Sequence, residues 1–288
     1  MKRTVGDRTF GVFNAVLMVV LCVVTLYPFL YVISMSLGGT VSMSASLIPK
    51  DATFSAYDRV FGNRFIGYGF QNTIFRTLVG TGLTLLVTIA ASYTLSKRRL
   101  PHRSFWTGLC VFTMFFSGGL IPTYLVVQAL GLLNSRWALI FPSLLSTYNM
   151  IIMRNFFMSL PESLEESAMI DGANDVVILA RIVVPTSMPI IATVSLWTAV
   201  AHWNAWFDCM IYVQATNIQV LQLVLRRIVI EGTNQLMELN TSNLDYAIAS
   251  PDSVKSATIV VATVPIILVY PFLQKYFVKG VMVGSLKG

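Results

Sequence analysis

The sequence predicts an all-α polytopic membrane protein with six transmembrane helices, and three observations carry that reading. Hydrophobic residues make up 55% of the 288-residue chain and charged residues only 11%, against roughly 45–50% and about 25% in ordinary soluble domains. Long apolar runs recur along the chain at a length suited to a hydrocarbon core, which takes about 20 residues per helix. Most of the charged residues gather between these runs. A soluble enzyme with one tethering helix is excluded by the same composition.

The elements follow in order. The first run, 10–36, comes after Lys2, Arg3 and Arg8; it is longer than the roughly 7–15 residues of a signal-peptide core and reads as a retained anchor. The second, 72–95, stops at Lys97-Arg98-Arg99. The third, 104–130, contains Gly118-Gly119 and Pro122, which predicts a bent or interrupted helix. The fourth covers 137–157, the fifth 185–213 and the sixth 257–277, and a polar segment, 159–185, leads into the fifth. The three cysteines, Cys22, Cys110 and Cys209, all lie in apolar stretches without metal-ligand spacing, so neither a disulfide framework nor a metal site is expected.

Charge sets the orientation. Lys97, Arg98, Arg99, Arg103, Arg154, Arg181, Lys275, Lys279 and Lys287 fall on the same side as the basic N-terminus, so both termini and the 159–185 loop are expected in the cytoplasm. Ionisable residues within the spans are scarce: Arg76 near the start of the second, His202 and Asp208 in the fifth. Ion-coupled carriers place such groups at membrane depth to do their work. An ion gradient bound by this chain is therefore disfavoured, although a secondary carrier or channel for a small polar solute stays open as the alternative. A membrane enzyme would need clustered His, Asp or Glu, and His102 and His202 are far apart.

The 159–185 loop is the most informative segment. Ser159 with Glu162 and Ser163 with Glu166 both match the Ser-x-x-Glu capping box, so an acidic helix is expected to begin near Leu160. Gly172 offers a turn with positive φ. Ile178, Leu179, Ile182 and Val183 then recur at helical spacing. A helix-turn-helix on the cytoplasmic face results, and from these residues alone a well-capped surface loop is the favoured reading.

Glu166-Ser-Ala-Met-Ile-Asp-Gly172, nine residues, then Ile182-Val-Val-Pro185 resembles the EAA loop of the inner-membrane permease subunits of binding-protein-dependent ABC importers. Ser167 stands for the second Ala of that pattern and Val184 for its Leu. Met114-Phe-Phe-Ser-Gly-Gly-Leu-Ile-Pro-Thr-Tyr124, Ile151-Ile-Met-Arg-Asn-Phe-Phe157, His202-Trp-Asn-Ala-Trp-Phe207 and the tail from Val278 are similar to the carbohydrate-uptake branch, in particular the shorter, six-helix subunit of maltose- and alginate-type systems.

The resemblance implies a MetI-like permease fold in the bacterial inner membrane and a transport role in which this chain is not the enzyme. A second permease subunit would share the pathway, an extracytoplasmic sugar-binding protein would deliver an oligosaccharide or polysaccharide, and two ATP-binding subunits would hold ATP and magnesium. No cofactor is expected on this chain, which has no Gly-x4-Gly-Lys-Ser/Thr motif. The matching positions for ATPase coupling are Glu166, Ala168, Asp171 and Gly172, with Glu165 and Ile170 beside them. For the substrate pathway, Trp203, Asn204 and Asp208 on the outer half of the fifth span suit sugar faces and hydroxyls, as do Tyr148 and Asn149 in the fourth. The same aromatics also suit interfacial anchors, and the Asn an interhelical hydrogen bond.

Overall fold

The structure is a computed structural model and describes residues 5–38, 52–231 and 250–285. Among these residues the helices are, in chain order, α1 (Val5–Leu37), α2 (Ser55–Gly62), α3 (Arg64–Ser96), α4 (Arg103–Phe115), α5 (Leu120–Ala129), α6 (Thr147–Met158), α7 (Glu162–Ile170), α8 (Asp175–Ile178), α9 (Val184–Thr186), α10 (Met188–Asn204), α11 (Phe207–Tyr212), α12 (Leu221–Arg226) and α13 (Pro251–Ser285). The described residues form no strand beyond one isolated bridge between Gly38 and Ala52. Lys2, Arg3 and Lys287, on which the expected orientation leaned, lie outside the described residues.

The chain divides into two compact units, Met1–Ile66 with Leu225–Val264, and Gly67–Val224 with Pro265–Gly288. In the first, the end of α1 is fixed by hydroxyl contacts. Ser36 Oγ and Tyr57 Oη share a 2.7 Å hydrogen bond, and Ser253 Oγ donates to the Gly38 carbonyl at 2.9 Å. α13 starts where the sequence supplies both start signals: Ser250 Oγ accepts from the Ser253 N–H at 3.1 Å and Pro251, whose missing donor costs nothing there, takes the first helical position.

The second unit is organised along α3. One core gathers near the C-terminal end of α3, with Tyr93, Met153, Phe157, Ala168, Ile178, Val183, Ile191 and Val194 buried together. Another joins Val127, Ala138, Leu139, Cys209, Tyr212, Val213, Val220 and Leu223. Gly80 lets α10 come close: a Cβ built there would lie 2.8 Å from His202 Nε2, so the position admits only hydrogen.

Among the described residues three helical stretches are long and apolar enough to cross a membrane, Thr9–Leu37, Arg64–Ser96 and Pro251–Leu268. Two bent pairs satisfy the test jointly, Arg103–Phe115 with Leu120–Ala129 at 112° and Asp175–Thr186 with Met188–Asn204 at 84°. The break expected in the third element thus falls at Phe116–Gly119, where Phe116 turns extended and Gly119 takes φ +87°. The second element begins at Arg64 and the last at Pro251, both earlier than 72 and 257.

Two stretches depart further from expectation. The fourth element, 137–157, is α-helical only over Thr147–Met158, about 18 Å at 1.5 Å per residue; Arg136–Leu139 and Phe141–Ser143 form 3-10 turns. Pro142 removes a donor and disfavours helix in the residue before it, and Ser146 Oγ then caps a new start by accepting from Asn149 N–H. The fifth, 185–213, is broken at Ser187 and again at Ala205–Trp206. Upstream of Pro185, which cannot donate to the Arg181 carbonyl, residues Leu179–Val183 widen into a π-turn and Val184 N–H bonds Leu179 O.

Candidate functional site

At the loop end, α7 begins without either expected capping box. Ser159 is the C-cap of α6, its hydroxyl donating back to Phe156 O at 2.7 Å, and Pro161 occupies the N-cap position of α7 without a side-chain cap. The signals at Ser159 and Ser163 are overridden because Pro161, between them, sets the chain direction and starts the helix at Glu162. Helix formation itself and its acidic first turn, Glu162 and Glu165, are as expected.

The turn that ends α7 is a Schellman motif. Gly172 has φ +80°; its N–H bonds Met169 O at 3.0 Å and Ala173 N–H bonds Ala168 O at 2.9 Å, the paired bonds that satisfy the last helix carbonyls. Ala173 packs against the cluster holding Ala168. Asn174 then starts the next helix, its Oδ1 accepting from Val177 N–H at 2.9 Å. The sequence reading passed over Asn174, although an Asn ahead of an acidic, apolar run is a helix-start signal.

The loop has two faces. Ala168, Ile178 and Val183 are buried in the α3 and α6 core, whereas Leu164, Met169 and Ile170 project outward, Ile170 at 87% exposure. Glu166, Asp171 and Gly172 are exposed beside them. Glu165 is not available in the way expected: its carboxylate is half-buried and ion-paired to Lys97 at the end of α3. Arg98 Nε lies 3.1 Å from Glu162 Oε1, and Arg99 pairs with Asp175. Arg154 Nε adds a bond to Leu95 O at 2.9 Å, satisfying a carbonyl that the end of α3 leaves open.

Farther up α3 a polar network faces the segment after α10. Arg76, 2% exposed, makes a two-toothed ion pair with Asp208, with Nη1 to Oδ1 at 3.1 Å and Nη2 to Oδ2. Asp208 Oδ1 also accepts from Cys209 N–H at 2.9 Å. Asn72 Nδ2 donates to Asn217 O and Gln219 O at 2.9 and 3.0 Å, and Thr73 Oγ1 accepts from Leu221 N–H at 2.8 Å.

The pathway candidates are not gathered into one surface. Asp208 is ion-paired to Arg76 and its side chain stays 27% exposed. Trp203 is buried. Asn204 Nδ2 is turned back to Val200 O at 3.0 Å. Tyr148, 56% exposed, faces Trp197 with ring centroids 6.4 Å apart, and Asn149 beside it is half-buried. Trp197, absent from the sequence reading, is the aromatic that meets Tyr148; helical periodicity gave it no distinction from any other apolar position.

No family model matches the chain, but individual known proteins do. The chain is 41% identical over 291 residues to Protein LplC of Bacillus subtilis (strain 168), covering 100% of this chain and 98% of that protein. It is also 41% identical to the polygalacturonan/rhamnogalacturonan transport system permease protein YtcP of the same organism, over 98% of this chain and 99% of the other. Among solved structures, a chain of a bacterial ABC transporter involved in the import of the acidic polysaccharide alginate superposes with a TM-score of 0.87 and 34% identity. That match covers 96% of this chain and 99% of the other.

Proposed function

The chain belongs to the permease subunits of ABC importers, in the carbohydrate branch, and on that premise we propose that the 159–185 loop docks it to an ATP-binding subunit. The observation that carries this reading is the division of the loop into a packed face and an offered face. Ala168, Ile178 and Val183 anchor it from below, and the Schellman turn at Gly172 holds Met169, Ile170, Glu166 and Asp171 outward. An apolar patch with carboxylates at its edge fits a cleft lined by apolar side chains and basic donors. Glu165 then acts from within the chain, by holding the helix in place.

In this reading the loop and both termini are cytoplasmic, the chain sits in the bacterial inner membrane, and ATP with magnesium is bound by the partner ATPases, none by this chain. A second permease and a sugar-binding protein complete the importer. The substrate class we propose is an acidic polysaccharide or its fragments, supported by the names of the relatives at 41% and 34% identity. Pull-down of the ATP-binding subunit and uptake of uronate oligosaccharides, measured on Ile170→Asp and Glu166→Lys, tests the docking role. Both substitutions are on exposed positions and should leave folding within about 0.5 kcal/mol of the parent, while docking and uptake fall together. Normal docking with normal uptake would remove the role from this loop.

A further inference from the structure

α3 is a single unbroken helix of 33 residues, about 50 Å long, and polar bonds hold it at two places within the second unit. Toward its start, Asn72, Thr73 and Arg76 tie it to residues 208–221. At its C-terminal end three consecutive basic residues meet three acidic residues one to one: Lys97 with Glu165, Arg98 with Glu162, Arg99 with Asp175. Glu162 and Glu165 lie one turn apart on α7, and Asp175 opens α8 on the far side of the Gly172 turn. The basic run therefore grips both arms of the helix-turn-helix.

A run of three cations at a helix end is explained in part by the helix dipole and by membrane topology. Neither accounts for a one-to-one match across the loop. The Lys97–Glu165 pair is also the most sheltered, at 15% and 18% side-chain exposure, and Lys97 Nζ lies 3.9 Å from the centre of the Tyr93 ring, so this contact is held from two sides. Arg98 and Glu162 are wide open at 79% and 64%, and solvent screens such a pair strongly.

We propose that Lys97, Arg98 and Arg99 form a charge clamp that makes the loop and α3 move as one body, so that motion of the ATPase is delivered to the 208–221 segment through α3. Lys97 and Glu165 are its principal positioning residues. The inference rests on the docking role proposed above, but adds a claim that docking alone does not make: the loop is rigidly joined to one particular helix.

The test is a charge exchange read as sugar transported per ATP hydrolysed in the assembled importer. Lys97→Glu and Glu165→Lys should each keep the ATPase bound yet lower that ratio by about fivefold or more. The double exchange Lys97→Glu/Glu165→Lys should recover most of the loss. Arg98→Glu should lower the ratio by less than about twofold. Where a single reversal prevents assembly, a cysteine pair decides the matter: with Cys22, Cys110 and Cys209 replaced by Ser, Arg99→Cys/Asp175→Cys is joined across the clamp by a bis-thiosulfonate cross-linker, reducible and matched to the span of the ion pair. If loop and helix move together, the cross-linked importer transports as well as the reduced one. Unchanged coupling in both single reversals, no recovery in the exchange, or transport that stops on cross-linking and returns on reduction would each overturn the clamp. Failure of the docking role is read separately, from intact ATPase binding in Ile170→Asp and Glu166→Lys.

Discussion

At the Arg76 end of α3 one bidentate ion pair has its guanidinium buried and its carboxylate partly exposed, with neighbouring backbone bonds locking it in place; at the Lys97 end three pairs stand at graded exposure around a loop. The difference separates a joint that must never open from one that can be tuned. A buried charge that loses its partner has no water to turn to, so the first region is all-or-none. A surface pair exchanges its partner for solvent at little cost, and such pairs have effect only as a set. The two regions should consequently respond very differently to substitution.

The largest effect is expected at the buried joint. Asp208→Ala strands the Arg76 guanidinium and should destabilise the protein by about 3–5 kcal/mol, whereas the paired replacement Arg76→Met/Asp208→Leu should recover most of it; melting of the purified protein in detergent checks both. If the single variant melts like the parent, the contrast between the two ends collapses.

Next comes the close approach between α3 and α10. Gly80→Val places atoms where the His202 ring already lies, and should cost about 1–3 kcal/mol through forced displacement. The same melting measurement reads it, and a companion His202→Ala on the Gly80→Val background should return part of the loss by clearing the space.

At the loop the costs are smaller and the consequences functional. A Cβ at Gly172 would meet no neighbour within 4 Å, so Gly172→Val is penalised only by its φ of +80°, about 1–2 kcal/mol. Its main expected outcome is loss of ATPase binding in a pull-down while the spans stay inserted. The smallest effect is expected at Asn174→Ala, which removes the cap bond to Val177 N–H and should cost about 1 kcal/mol. Hydrogen exchange should show it as faster opening confined to α8, with α7 unchanged.

These five positions were unequally legible. Gly172 stood out because a glycine after an acidic helical run and before an apolar one has few other uses, and the EAA spacing lay around it. Asn174 was equally local but went unused. Arg76 and Asp208 are rare charges, and a lone cation and a lone anion in apolar surroundings must find each other; the pairing is legible in the sequence, and only its two-toothed geometry had to come from the fold. Gly80 was invisible, since nothing in its neighbours says that an imidazole 122 residues later will sit against it.

The sequence by itself determined the class of protein, the break in its third element and the chemistry of its loop, because apolar fraction, helical period and turn residues act over a few neighbouring residues. Composition alone excluded a soluble fold, Gly118-Gly119 located the broken element, and the residues from Glu166 to Pro185 declared the family. Only the tertiary structure decided which carboxylates remain exposed. Lys97 and Glu165 are 68 positions apart, and whether Glu165 faces outward or is held by its own chain depends on where the end of α3 arrives relative to α7. That arrival is set by side-chain packing in the core of Tyr93, Met153, Phe157 and Ala168, a property of several distant segments at once that no local pattern encodes.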